Sequence, residues 1–513
     1  MTGTRAGRPS GALRRLATQS GVYALGNVAA KASGLLIVPL YLNLLPQEAY
    51  GYLGLLTAVA LVAIPLAGFG LTTGLLAFLA AAGSGTDADA ATRRALPFTT
   101  LATSAALASA TFAALWLAAP WLAGVLLDDA RQTGLVRLTA AYVAAKVLSA
   151  TPLMLIRADE RAGLYVAASL LETVLLAGGT YVLMAVYRMG LAGAVWALAL
   201  SAGASAAVLT AATLARVEWR LDRRLVGRLM RFGAPLAVSA VALPVVHVGD
   251  RFVIKWLVGA GEVGVYDLAA RLAGVLNMLV VQSFQQAFAV VGLKELREGG
   301  DFFRRTFRHY AVGASGAALG LSLVARDLIG LVSPGEAYLR ADPMVFVLSL
   351  GFLAYGLYIV FANVLYAATA TRVVAGTLVV AVAANMALNL VAVPAFGGLG
   401  AAAATLAAYA LMAALTAVAA DRRTHIAYPW SALARCLGIV AVLWAVAQVS
   451  VGWAVWPRLA FRGALVALYP VLVYATGVYD REEVRALLRR PARLLGRAPR
   501  EDAPHDGPPA GGV

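Results

Sequence analysis

The chain has almost no cysteine, few histidines and little acid. One cysteine, Cys436, stands among 513 residues, so no disulfide can form within the chain. Four histidines (His247, His309, His425 and His505) are too scattered to suggest a metal site. No GxxxxGK(S/T) phosphate loop and no HExxH pair occurs, and no Ser-His-Asp set can be assembled without guesswork. The polar stretches between apolar runs are too short for a folded catalytic domain. We therefore expect no enzyme, no catalytic residues, no metal and no bound cofactor. Charged residues make up only 13% of the chain, which excludes a water-soluble protein of this length.

What fills the chain instead is apolar. Hydrophobic residues are 61% of the total and mean hydropathy is +0.79. Fourteen apolar runs of membrane-spanning length follow one another, the first at 20–44 and the last at 456–478. About 20 apolar residues cross a bilayer core as a helix, and a helix satisfies its own backbone there. The expected fold is all-α and integral to the membrane.

Charge sets the expected orientation. With the N-terminus inside, most of the 42 Lys and Arg residues fall on inner segments. The outer side holds few, Arg131, Arg188 and Arg340 among them. This asymmetry is the positive-inside pattern. It places both termini in the cytoplasm and accounts for the net charge of +16 without nucleic acid. It also favours contact with anionic inner-leaflet lipids. Trp121, Trp256, Trp453 and Trp456 fall at expected outer ends, as an interfacial belt would.

Two pairs of segments suggest an internal duplication. PQEAYGYLG at 46–54 resembles AGEVGVYDL at 260–268, aligning Glu48 and Tyr52 with Glu262 and Tyr266. GLAGAVWALA at 190–199 resembles GLGAAAATLA at 398–407, aligning Gly193-Ala194 with Gly400-Ala401. Each repeat then holds six helices. An even number leaves both halves running in the same sense, around a cleft. The expected organisation is an N-terminal segment at 1–19, an N-lobe at 20–215, a basic linker at 216–231, a C-lobe at 232–420, two further helices at 430–478 and a tail at 479–513. Ser10 to Ser20 reads as a short amphipathic helix at the inner interface. A capped helix is expected from Asp480 and an unstructured stretch from Pro491.

Ionisable residues inside spans are costly and default to function. The basic ones are Lys31, Lys146, Arg251, Lys255 and Arg271, and the acidic ones Glu172, Asp250 and Asp267. The positive balance points to an anionic cargo and away from an exporter of cationic drugs. His247, Arg251 and Lys255 are spaced i, i+4, i+8 on one helix face and repel unless an anion or carboxylate sits between them. Two readings stand side by side. In one, Lys31, Lys146, Arg251, Arg271 and His247 bind an anionic head group, Asn385 and Asn389 line a sugar path, and Glu172 or Asp250 takes a coupling ion. In the other, Asp250 pairs with a cation of the next helix, Asp267 pairs with Arg271, Glu172 pairs with Lys31 or Lys146, and Lys255 snorkels outward beside Trp256.

Three stretches resemble the polysaccharide-transporter branch of the multidrug/oligosaccharidyl-lipid/polysaccharide (MOP) exporter superfamily, the O-antigen flippase type. They are GVYALGNVAAKASGLLIVPLYLNLLPQEAYGYLGLL from Gly21, DRFVIKWLVGAGEVGVYDLAARL from Asp250 and NMALNLVAVPAFGGLGAAAATLAAYAL from Asn385. With the helix count they extend over nearly the full chain. The resemblance implies a MATE-like fold of two parallel six-helix repeats around a central cleft, with two extra C-terminal helices. It implies flipping of a polyprenyl-diphosphate-linked oligosaccharide from the inner to the outer leaflet of the cytoplasmic membrane, for surface polysaccharide. The driving force would be the membrane potential or a coupling H+ or Na+, and a polysaccharide polymerase or glycosyltransferases would be neighbours. A lipid II flippase, a multidrug exporter and a membrane scaffold are the alternatives.

Overall fold

The computed structural model describes residues 37–82, 87–159, 161–286, 288, 300–333 and 335–479. Lys31, Asn27, the amphipathic segment from Ser10 to Ser20, most of the first span, the helix expected from Asp480 and the stretch from Pro491 lie outside the described residues.

The apolar runs fold as helices, and no strand occurs among the described residues. In chain order they are α1 (Val38–Leu44), α2 (Gln47–Gly68), α3 (Leu71–Ala81), α4 (Asp87–Leu127), α5 (Thr133–Ala158), α6 (Ala162–Thr180), α7 (Gly190–Leu214), α8 (Arg223–Leu257), α9 (Ala260–Leu276), α10 (Asp301–Val332), α11 (Ala341–Ala367), α12 (Thr371–Thr424), α13 (Trp430–Ala447) and α14 (Val455–Ala475). Twelve of the described helices are long and apolar enough to cross a membrane. One of these is α12, 54 residues long, which Gly397 breaks at φ 58° into two crossings. Counting both halves of α12 gives thirteen crossings among the described residues, against the thirteen expected after the first span, of which only the end, α1, is described.

Local sequence explains where the helices depart from expectation. The span expected at 50–80 is two rods, α2 and α3. Phe69 and Gly70 are both left-handed, at φ 49° and 63°, and they part the helix just after Pro65. The basic linker expected at 216–231 is half helix. Asp222 accepts from the amides of Arg224 at 2.8 Å and Leu225 at 3.3 Å, and so starts α8 nine residues early. Hydropathy missed these turns because their exposed face is arginine.

The chain divides into two compact units, one through Tyr428 and one from Pro429. In the second, α13 and α14 pair. Arg435 of α13 donates to the carbonyls of Thr476 and Gly477 just beyond α14, where a cation meets the negative end of a helix. Arg462 is buried in α14 and donates to Ser450 at 3.1 Å.

In the first unit, we call the end with the turns at Leu45, Gly259 and Gly397 the upper end, and the end with Asp222 the lower. One apolar cluster gathers the upper ends of both repeats, including Leu42, Tyr50, Leu126, Ala194, Ile254 and Val345. The repeats meet most tightly where α2 crosses α9. A Cβ on Gly51 would stand 1.9 Å from the carbonyl oxygen of Ala260, and one on Gly264 2.7 Å from that of Gln47. Only glycine allows that approach, the usual device of membrane helix crossings. Gln47 also donates to the carbonyl of Gly261 at 2.9 Å. These two residues are equivalent in the duplication, so they touch as residues beside a pseudo-two-fold axis should. Gly190 and Gly397 are equivalent too, and both have positive φ, 55° and 58°.

Candidate functional site

About 10 Å below the upper end, by helix rise, the antiparallel helices α8 and α9 cross with two neighbouring pairs in register. Arg251 meets Asp267, and Asp250 meets Tyr266. The Arg251 Nη2 lies 2.7 Å from Asp267 Oδ1, and its Nε donates to the same oxygen at 2.8 Å. Arg271, one turn further along α9, holds the other carboxylate oxygen at 2.5 Å. Two guanidiniums therefore share one carboxylate that is only 1% exposed. Burying ions is costly unless they are paired and hydrogen-bonded. Arg251 adds a third bond, from Nη1 to the carbonyl of His247.

Asp250 is turned about 100° from Arg251 on α8 and faces α12. Its carboxylate accepts from the Tyr266 hydroxyl at 2.6 Å, the Asn389 amide at 2.7 Å and Thr405 Oγ1 at 2.5 Å. Asn389 also donates to the carbonyl of Asn385, and Asn385 reaches Thr405 at 3.4 Å. Asn385 and Asn389 do share a face, as the sequence suggested, but it is buried against Asp250 and Thr405. His247 bonds the Tyr409 hydroxyl at 2.6 Å and has Phe352 and Tyr355 rings around it.

The structural reading of the sequence is thus partly corrected. Asp250 takes hydroxyls and an amide where a cation of the next helix was expected. Asp267 takes Arg251 as well as Arg271. Lys255 does not snorkel beside Trp256. It turns inward and pairs with Asp128 at 2.5 Å, while the Trp256 side chain stays exposed. Asp128 also accepts from Tyr52, so this end joins α8 to α2 and α4. Lys146 and Glu172 pair at 2.5 Å between α5 and α6. The carboxylates that relieve the His247–Arg251–Lys255 stack are Asp267 and Asp128. Asp128 was hidden from the sequence reading because it sits past the end of an apolar run.

Glu262 was visible only as a repeat match. Its Oε1 accepts from the Gly398 amide at 2.9 Å, and its Oε2 takes Arg340 at 3.1 Å. It therefore caps the second half of α12 from a neighbouring helix, where Gly397 and Gly398 leave room for the carboxylate.

Two spaces adjoin these groups. Arg271 reaches across to a small cavity of about 80 Å³ otherwise lined by the N-terminal repeat, with Tyr41 and Thr57 on its wall. A larger one of about 470 Å³ opens beside the α2–α3 break. Pro65, Thr72, Ser104, Thr151 and Leu236 contribute to its lining. None of the charged residues singled out in the sequence lines the larger cavity.

The polysaccharide biosynthesis protein family matches residues 16–289. Among curated proteins nothing matches the chain. Among solved structures, a lipid II flippase in an inward closed conformation superposes with a TM-score of 0.74 at 11% identity, covering 89% of this chain and 99% of that one. An inward-facing multidrug resistance MATE transporter superposes at 0.66 and 14% identity, over 79% of this chain and 94% of its own. A MOP superfamily transporter from Pyrococcus furiosus, described as having a binding pocket of reverse polarity, gives 0.55 at 13% identity, over 80% and 95%. These likenesses show the fold. An all-helical membrane fold shared with MOP-superfamily transporters, and a family match over more than half the sequence, place this chain in the polysaccharide biosynthesis protein family.

Proposed function

We propose that the chain is a flippase that moves a polyprenyl-diphosphate-linked oligosaccharide from the inner to the outer leaflet of the cytoplasmic membrane by alternating access. The observation that carries this reading is the Arg251–Asp267–Arg271 cluster in the seam between the repeats. Two guanidiniums on one carboxylate leave one positive charge, and Arg271 faces the cavity there. A diphosphate is the anion such paired donors suit, since arginine binds phosphate oxygens bidentately. The excess of Lys and Arg on the lower loops supports a cytoplasmic lower end with both termini inside. The upper end is then the outer gate, closed here by the α2–α9 crossing, and the 470 Å³ cavity lies nearer the cytoplasm.

In this reading Arg251 and Arg271 hold the diphosphate once the outer gate parts, and Lys146, Lys31 and His247 add positive or polar surface on its path. Asn385 and Asn389 meet sugar only if α8 and α12 separate. Asp250 and Glu172 are our coupling groups for H+ or Na+. At Asp250 the ligands would be oxygens, as hard cations prefer. The Asn389 amide oxygen, buried beside that carboxylate, has no hydrogen-bond partner. A polymerase or glycosyltransferases acting on the same glycan are the proposed neighbours.

The test is mass spectrometry of lipid-linked oligosaccharides in cells depleted of the protein, with an Arg271→Ala strain beside them. A cytoplasm-facing polyprenyl-diphosphate glycan should accumulate in both. Accumulation of lipid II instead would assign the protein to peptidoglycan precursor flipping. An unchanged lipid pool with altered drug tolerance would assign it to drug export.

A further inference from the structure

The lower end carries a surface that the flipping cycle described above does not use. The stretch from Arg216 to Asp222 is fixed there. Thr99 Oγ1 donates to the carbonyl of Arg220 and accepts from the amide of Asp222, while the Trp219 ring stacks on Phe98 at 5.9 Å. Six exposed arginines surround it. Arg93 and Arg94 lie near the start of α4, Arg216 and Arg220 on the linker, and Arg223 and Arg224 on the first turn of α8. Among the described side chains, two carboxylates accompany them. Asp222 caps α8 with its side chain, and Glu218 lies 3.9 Å from Arg94. The surface stays strongly positive.

Depth identifies what it meets. The helix from Arg223 to Leu257 has 35 residues, about 52 Å at the usual rise, against a hydrocarbon core of about 30 Å. Its arginine-bearing turns therefore stand at headgroup level. Trp219 is 72% and Leu221 53% exposed on the same segment. Aromatic and aliphatic side chains beside guanidiniums are how a surface engages a lipid interface. Leu225 and Leu229 are buried on the opposite face of α8, so the arginines have no inward alternative.

We infer that this lower-end surface is a docking site for anionic phospholipid headgroups. Guanidiniums from α4, the linker and α8 hold the lipid phosphates, and Trp219 and Leu221 sit among the upper acyl carbons. The site is independent of the cargo. It also borders the lower contact between the repeats. There Leu229 and Phe232 of α8 pack on Gly74 and Phe78 of α3, and Arg228 lies over the Phe78 ring at 4.9 Å. Lipid bound here stiffens the start of α8, on which that contact is built.

The experiment is native mass spectrometry of the full-length protein from nanodiscs of equal phosphatidylglycerol and phosphatidylcholine, with an Arg220→Ala/Arg223→Ala/Arg224→Ala variant alongside. Each arginine near a charged surface is worth about fivefold in binding. Retained phosphatidylglycerol should fall on the order of a hundredfold in the triple variant and recover in the corresponding triple lysine variant. Binding should also weaken with salt, as screened phosphate contacts do. Equal retention of the two lipids by the wild type would overturn the inference, as would a triple variant that keeps phosphatidylglycerol. Displacement of phosphatidylglycerol by an added polyprenyl diphosphate would overturn it too and make the surface a cargo-capture site.

Discussion

Replacing Gly51 by alanine should push the upper end open. The added methyl would start 1.9 Å from the Ala260 carbonyl oxygen, and ordinary contact begins at 3.4 Å. Both partners are helix backbone, so no rotamer relieves the overlap and α2 must part from α9. Overpacking of a tight interface costs about 1–3 kcal/mol, which shifts the balance between closed and open upper ends by about 5- to 150-fold. The Gln47–Gly261 hydrogen bond goes with the crossing. The shift can be read by thiol labelling, because the single native thiol, Cys436, is buried and can be replaced by serine. Thr57 faces the Arg271 cavity beneath the crossing. In a Cys436→Ser/Thr57→Cys background, a membrane-impermeant maleimide added to intact cells should label the Gly51→Ala protein several-fold faster than its parent. Gly54→Ala, one turn below, is the control. Its methyl would meet only the Asp267 side chain, at 3.4 Å, and labelling should stay at the parental rate. Equal labelling of Gly51→Ala and its parent would refute the gate. Faster labelling of Gly54→Ala would show that any disturbance of α2 suffices.

Asp267→Asn strands two guanidiniums, and loss of one partner of a buried ion pair costs about 3–5 kcal/mol; a melting temperature in detergent equal to that of the wild type would count against the shared carboxylate. Thr405→Val removes one of three donors to Asp250 and should cost about 1 kcal/mol in the same assay, whereas Asp250→Asn should abolish the ion dependence of transport that the proposed coupling role of Asp250 requires. Gly397→Ala forces a side chain into a positive-φ conformation (φ 58°, ψ −136°) that glycine alone adopts readily, at about 1–3 kcal/mol, and brings its Cβ within 2.9 Å of the Glu262 carboxylate. It should therefore destabilise the fold more than Gly376→Ala, where a Cβ meets open space.

The crossings were legible because an apolar run of fixed length has one solution in a bilayer. The repeat was legible for a related reason. Glu48 and Tyr52 recur as Glu262 and Tyr266, and the spacing that aligns Gly193 with Gly400 also aligns the two positive-φ glycines, Gly190 and Gly397. The break between α2 and α3 was not legible, since a left-handed phenylalanine at 69 leaves no compositional mark. Partners were harder than candidates. That Arg251 and Asp250 were costly could be read from the sequence alone. Which groups would meet them depended on the crossing of α8 with α9 and α12, and hence on packing that spacing along one helix does not encode. Asp128 shows the limit, because a loop residue gave no sign that it would hold a lysine of another helix.

The break at Phe69–Gly70 has a mechanical meaning. The upper rod, α2, carries the crossing with α9, while the lower rod, α3, carries Phe78 and Gly74 against the start of α8. Gly233 lies against the joint itself, where a Cβ would stand 2.0 Å from the Phe69 carbonyl oxygen. A single straight helix would act as a lever, so that closing one end pried open the other. In the proposed cycle, two rods on a joint let both ends shut together, an occluded stage in which neither water nor ions would find a continuous path across the membrane.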